Sequence, residues 1–177
     1  MNKILADMHT HTIASGHAYA TLTEMCKEAA NKGLEIYGIT EHSSGIPGTC
    51  ADLYFKNLGV VPRDLFGLDL RLGAEINIID YNGTLDLGQE YIDRLDFVIA
   101  GIHSVCYKFG SKEENTAAII NAIKNPNVNI ISHPDDGRCP LDYEALVQAA
   151  KEYHVLLEIN NNALRDKNRK IVKKTKN

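Results

Sequence analysis

Six of the seven histidines in this chain stand where they could share metal ions: His9-x-His11 with His17 close behind, then His42, His103 and His133. Neutral imidazole is the commonest side-chain ligand for zinc-like ions, and ligands brought in by separate segments imply a site assembled by the fold. All but His17 stand where a short apolar run ends. Glu75 closes Leu70-Arg-Leu-Gly-Ala-Glu75 in the same way. A carboxylate can bridge two ions through its two oxygens, holding them roughly 3.5–4 Å apart, as two-metal hydrolases do. Asp7 would share a face with His9 and His11 if the segment is extended, because side chains two apart project together. Two other readings stay open: polar residues that merely end strands, and a Glu75 that orients ligands or pairs with a cation.

The elements that must carry these residues alternate. Strands are expected at Ile4–Met8, Glu35–Thr40, Leu70–Ile79, Asp96–Ile102, Val128–Ser132 and Val155–Ile159. Helices are expected at Leu22–Asn31, with Thr21 or Thr23 as N-cap, at Tyr91–Leu95, Lys112–Lys124 and Asp142–Tyr153. Runs such as Phe97–Ile102 are continuously apolar, as parallel strands covered on both faces are, so the class is α/β with a parallel arrangement. In α/β barrels the C-terminal ends of strands line the active site, which is where the histidines and Glu75 fall. Ser43–Leu68, rich in Gly and Pro, reads as a long irregular insertion and a candidate lid.

Composition bounds the rest. A chain of 177 residues with 44% hydrophobic and 24% charged content suits one soluble domain. The N-terminus lacks a signal-peptide core and no apolar run approaches a membrane span, so a cytoplasmic protein is expected. Cys26, Cys50, Cys106 and Cys139 form no C-x-x-C pair and are expected as reduced thiols. Residues 1–164 hold 12 Lys+Arg against 22 Asp+Glu, whereas 165–177 hold seven basic residues and one acid. The acidic body disfavours nucleic acid and suits divalent cations. The basic tail reads as a frayed, solvated terminus, with a contact to nucleic acid or an acidic partner as the alternative.

The motifs Asp7-Met-His9-Thr-His11, Ser15-Gly-His17, Ile39-Thr-Glu41-His42, Gly73-Ala-Glu75, Gly101-Ile-His103, Ile131-Ser-His133-Pro134 and Leu157-Glu158-Ile-Asn160-Asn161 together resemble the PHP (polymerase and histidinol phosphatase) superfamily. The likeness is strongest to its small stand-alone bacterial phosphatases. That resemblance implies a distorted (β/α)7 barrel, here shortened to about six strands, spanning 1–177 as one domain. It implies a di- or trinuclear site that hydrolyses small phosphate monoesters by metal-bound hydroxide. His9, His11 and Glu75 would hold one ion, Glu75, His103 and His133 a second, His17 and His42 a third. Asp7, Glu41, Glu158 and Asn160 would orient these ligands. Mostly imidazole ligands with one carboxylate favour zinc, with manganese or iron as alternatives.

The sequence departs from the family in two places. Glu41 stands where the family usually has Asp, and no Gly-Ser-Asp-x-His motif, which would complete the first and third ions, follows the Leu-Glu-Ile-Asn segment. A barrel without its last strand leaves an edge, so a homo-oligomer is expected. The competing readings are a histidinol-phosphate phosphatase or nuclease of the same superfamily, or a catalytically degenerate metal-binding module. His154, at a helix end, is read as structural. Ser104, Lys108 and Arg138, in loops after ligand-bearing strands, are read as solvated surface groups that could also meet phosphate.

Overall fold

A computed structural model describes residues 4–161, so the basic tail from Arg165 lies outside the described residues. The described chain forms two compact units, residues 4–77 with 86–99 and residues 78–85 with 100–161.

The first unit carries β1 (Ala6–Asp7), α1 (Leu22–Asn31), β2 (Ile36–His42), α2 (Leu53–Asn57), β3 (Asp69–Asn77) and α3 (Gln89–Ile92). Strands β1, β2 and β3 are parallel neighbours, in a register that sets Asp7 beside Tyr37 and His42 beside Glu75. Ile39, Leu70, Leu72, Ala74 and Ile76 fill its interior with Phe55. Burying a side chain of that size contributes about 1.5–3 kcal/mol, which is why the apolar runs that marked β2 and β3 hold as strands. Helix α1 starts where Thr21 and Glu24 close a capping box, each satisfying the other's backbone N–H.

The strand β4 (Phe97–Gly101) belongs to both units. In the first, the N–H of Asp96, just before it, donates to Leu72 O; in the second, its last residues accept from Ile78 and Ser132. The second unit continues through α4 (Lys112–Ile123), β5 (Ile130–Ile131), α5 (Tyr143–Tyr153) and β6 (Leu156–Leu157), with β5 and β6 parallel. Its core is Ala118, Ile119, Ala122 and Ile123 from α4 with Ile131 and Leu146. Six strands alternating with helices in chain order give the α/β class expected, with six strands among the described residues.

Several boundaries differ from expectation. The ladder of β1 covers only two residues, so His9 and His11 lie beyond the strand rather than on it. The chain still tracks β2 there, because Thr10 Oγ1 donates to Gly38 O at 2.6 Å and Thr10 O accepts from Thr40 N at 2.9 Å. That approach requires glycine at 38, where a Cβ would stand 2.7 Å from Met8 O. The insertion is less irregular than its Gly and Pro content implies: it holds α2 and 3-10 turns at Leu58–Val60 and Leu65–Gly67, and it buries Phe55 and Leu58. Helix α3 begins two residues earlier than expected, directly after Gly88. Among the described residues no helix is long and apolar enough to cross a membrane.

Helix α5 ends on His154, which adopts left-handed backbone (φ 59°, ψ 35°) while its N–H donates to Ala150 O. A residue with a Cβ pays roughly 1–2 kcal/mol in that conformation. His154→Gly is therefore expected to stabilise the chain by about 1 kcal/mol, raising the melting temperature by about 2–4 °C. A melting temperature that falls in thermal unfolding would show instead that the imidazole itself stabilises the helix end.

Candidate metal centre

In the first unit, the parallel register of β2 and β3 sets His42, the last residue of β2, beside Glu75, two residues before the end of β3. Both are buried, Glu75 to 1% exposure. Oxygen Oε2 of Glu75 meets three ring nitrogens: His9 Nε2 at 3.0 Å, His42 Nδ1 at 3.1 Å and His11 Nε2 at 3.2 Å. His9 Nε2 and His11 Nε2 are themselves 3.2 Å apart. The ring of His11 stacks on that of His42 with centroids 4.4 Å apart, and His17 lies 4.9 Å from His42 and 5.1 Å from His11. Candidate ligand atoms of His9, His11 and Glu75 lie within 4.8 Å of one another, as do those of His11, His17 and His42.

The chemistry of this set fits a divalent cation. Four imidazoles packed ring to ring repel one another if protonated, and one carboxylate neutralises only one such charge. Ions at the convergence would satisfy nitrogen lone pairs and carboxylate together, with the ligand types zinc prefers. His17 enters because Gly16 turns the chain at φ 74°, packed so tightly that a Cβ there would stand 2.1 Å from Gly48 O. The start of the insertion thus presses directly on the loop that delivers His17.

The surrounding polar residues are also placed. Asp7 Oδ1 accepts the backbone N–H of His9 at 3.3 Å. Glu41, fully buried, accepts from Thr12 N through both oxygens, from Thr12 Oγ1 and from Ser15 Oγ. The methylene that distinguishes Glu41 from the family's usual Asp is accommodated, with both oxygens satisfied. Asp86 is a residue that sequence reasoning missed. It accepts from Ser43 Oγ, Gly45 N and both nitrogens of Asn77. Ser43 N in turn donates to Glu75 O at 3.0 Å, so Asp86 ties together the strand ends that bear His42 and Glu75. Its only local sign is a lone acid between Leu85 and Leu87.

In the second unit, His103 follows β4 and His133 follows β5, and their Nε2 atoms face each other at 3.2 Å. His133 takes positive φ (32°), a backbone state that residues other than glycine seldom occupy. Glu158 steadies it by accepting His133 N–H at 2.7 Å, while Asn160 donates from its side chain to Glu158 and from its backbone to Asp135. Glu158 and Asn160 therefore hold the backbone of the His133 loop, and Asp135 joins them unanticipated. Ser104, Lys108 and Arg138 are exposed, and Arg138 pairs with Asp136 of its own loop.

Burial disfavours the thiolate at Cys26, Cys50 and Cys139. Loss of hydration pushes the Cys50 and Cys139 thiols up to about 11, and burial raises Cys26 as well.

With this geometry in view, comparison with known proteins is decisive. The PHP domain family matches residues 7–165. The chain belongs to the PHP family. Among its relatives, a protein of Acetivibrio thermocellus named "Probable phosphatase" is 48% identical over 161 residues, covering 91% of this chain and 67% of that protein. One of the same name from Caldicellulosiruptor saccharolyticus is 52% identical over 155 residues, covering 88% and 65%. The chain spans about two thirds of the length of the curated relatives it matches. A crystal structure of a PHP-like fold, histidinol phosphate phosphatase of Lactococcus lactis complexed with zinc, L-histidinol and phosphate, aligns with TM-score 0.57 at 18% identity, covering 91% of this chain and 74% of that one. The likeness shows that the PHP chain shares that fold.

Proposed function

We propose that this PHP chain is a metal-dependent phosphatase of small phosphate monoesters, with divalent ions, zinc first among them, held by His9, His11, His17, His42 and Glu75 in one unit and by His103 and His133 in the other. The observation that carries this reading is the convergence of three imidazole nitrogens on one buried oxygen of Glu75. Relatives named as phosphatases support it. When bound, such ions supply Lewis acidity to a phosphoryl oxygen and lower the pKa of water toward neutrality.

The chain's own residues prepare that chemistry. Glu75 concentrates negative charge where the rings of His9, His11 and His42 meet, and Asp7 and Asp86 fix the backbone on either side of them. Glu158 and Asn160 hold His133 in its positive-φ state so that its Nε2 stays aimed at His103. A thiol nucleophile is not needed, which agrees with the raised thiols of half-buried Cys50 and buried Cys139. The acidic body favours a small cytoplasmic phosphomonoester over nucleic acid.

The test is turnover of p-nitrophenyl phosphate by the zinc-loaded chain, beside its metal content. His103→Ala and His133→Ala are each expected to lower turnover at least about 100-fold while the far-ultraviolet spectrum is kept. Near-normal phosphatase activity in either metal-washed variant overturns the assignment. Tight metal with no turnover in the unmodified chain marks a binding module instead.

A further inference from the structure

We propose that Ser15 is a positioning residue that sets which ring nitrogen of His11 carries its proton, through a buried chain running Glu41–Ser15–His11. The inference rests on the metal reading for its purpose but not for its geometry.

Proton counting leads to it. Glu41 receives four hydrogen bonds: Thr12 N–H lies 3.1–3.2 Å from its two oxygens, Thr12 Oγ1 and Ser15 Oγ each lie 2.5 Å from one of them. Each oxygen of Glu41 faces two donor groups, leaving it only to accept, so the single hydroxyl proton of Ser15 is committed to Glu41. Thr12 cannot release it, since Thr12 Oγ1 already accepts from Ala14 N at 3.2 Å and donates its own proton to Glu41. Ser15 Oγ also accepts the backbone N–H of His42 at 3.1 Å. Its remaining contact, with His11 Nδ1 at 3.1 Å, is therefore one in which the ring donates.

A neutral His11 protonated on Nδ1 presents a bare lone pair on Nε2. That nitrogen is the atom 3.2 Å from His9 Nε2 and 3.2 Å from Glu75 Oε2. A lone pair aimed at a carboxylate oxygen is unfavourable by itself and favourable once a cation lies between them. Ser15, at 1% exposure, cannot trade its partners for water. The opposite tautomer would leave no proton on the Ser15–His11 contact, setting two buried lone pairs against each other. The same hydroxyl grips the β2 end through His42 N–H, so ring tautomer and ligand spacing are fixed by one atom. This assigns a task to the Ser15 of the Ser15-Gly-His17 motif that the ligand set itself leaves idle.

The experiment is a long-range proton–nitrogen correlation spectrum of the metal-free full chain, with the His11 signals identified by their loss in His11→Asn. The expected result is a proton on His11 Nδ1, the ring nitrogen that meets Ser15. In Ser15→Ala that preference is expected to vanish, and zinc affinity, measured by chelator competition, to fall at least about 10-fold. His11 found in the Nε2–H form in the unmodified chain overturns the proposal, and this holds even if Ser15→Ala does not fold. So does an unchanged tautomer with zinc affinity within about twofold in the variant. Failure of the metal reading appears separately, as absence of zinc binding by the unmodified chain while the tautomer stands as expected.

Discussion

Glu75→Gln is expected to abolish zinc-dependent stabilisation and to lower phosphatase turnover by at least about 100-fold, the upper end of what even indirect ligand-orienting groups control. The substitution keeps size and shape but removes the negative charge to which His9, His11 and His42 are drawn at 3.0–3.2 Å. Because Glu75 lies at 1% exposure, water cannot take the carboxylate's place. An amide would either donate its N–H groups to the ring-nitrogen lone pairs that a cation needs, or offer a weaker, uncharged oxygen to the cation. In the unmodified chain, zinc at about a hundred times its dissociation constant stabilises by about 2.7 kcal/mol. For a domain of this size that is a melting-temperature rise of about 5–10 °C. The variant is expected to lose at least half of this rise while melting within a few degrees of the unmodified protein when both are metal-free. An equal zinc-dependent rise in both proteins would remove Glu75 from the metal site.

The strand-end placement of these residues was legible because a parallel α/β arrangement leaves a periodic trace: a continuous apolar run, then a polar side chain. His42 and Glu75 show it best, since β2 and β3 are long and their register puts the two side by side. The shorter ladders were less readable. Ile130–Ile131 and Leu156–Leu157 pair over two residues each, and where pairing stops depends on the neighbour, not on how far the apolar run extends. The insertion was misjudged because a helix of five residues such as Leu53–Asn57 has no room for a periodic signal; it is held by Phe55, which is completely buried. The supporting polar residues were hardest to see. Asp86 acts 43 residues from Ser43, and Asp135 25 residues from Asn160. No local spacing encodes a carboxylate that caps another strand's end. Ser15 and Glu41 were both in recognisable motifs, but the bond that joins them exists only once β2 lies beside the loop after His11.

That bond makes Glu41→Gln the substitution with the largest expected cost in stability. Glu41 is wholly buried and takes three donors from two residues, the N–H and hydroxyl of Thr12 and the hydroxyl of Ser15. Glutamine retains one acceptor oxygen and gains two N–H groups, so one end of the side chain must now face donors with a donor. If the amide nitrogen turns to Thr12, it opposes a backbone N–H that cannot rotate away. If it turns to Ser15, the hydroxyl must reverse and give its proton to His11 Nδ1, which moves the ring proton of His11 to Nε2 and points it at Glu75. The first arrangement leaves a buried donor unsatisfied, and the second sets a proton where a metal ligand is needed. Hydrogen bonds to a charged acceptor contribute about 1.5–3 kcal/mol each, and one unsatisfied buried donor costs about 1–3 kcal/mol. Glu41→Gln is accordingly expected to destabilise the metal-free chain by about 3 kcal/mol, read as a lower midpoint in urea unfolding at unchanged slope. Glu41→Asp tests the same network from the other side: it keeps the charge but withdraws the carboxylate by about a bond length, so it is expected to lose less stability than the glutamine variant. A glutamine variant as stable as the unmodified chain would mean that the carboxylate charge is not what organises Thr12 and Ser15, and that the tautomer of His11 is set elsewhere.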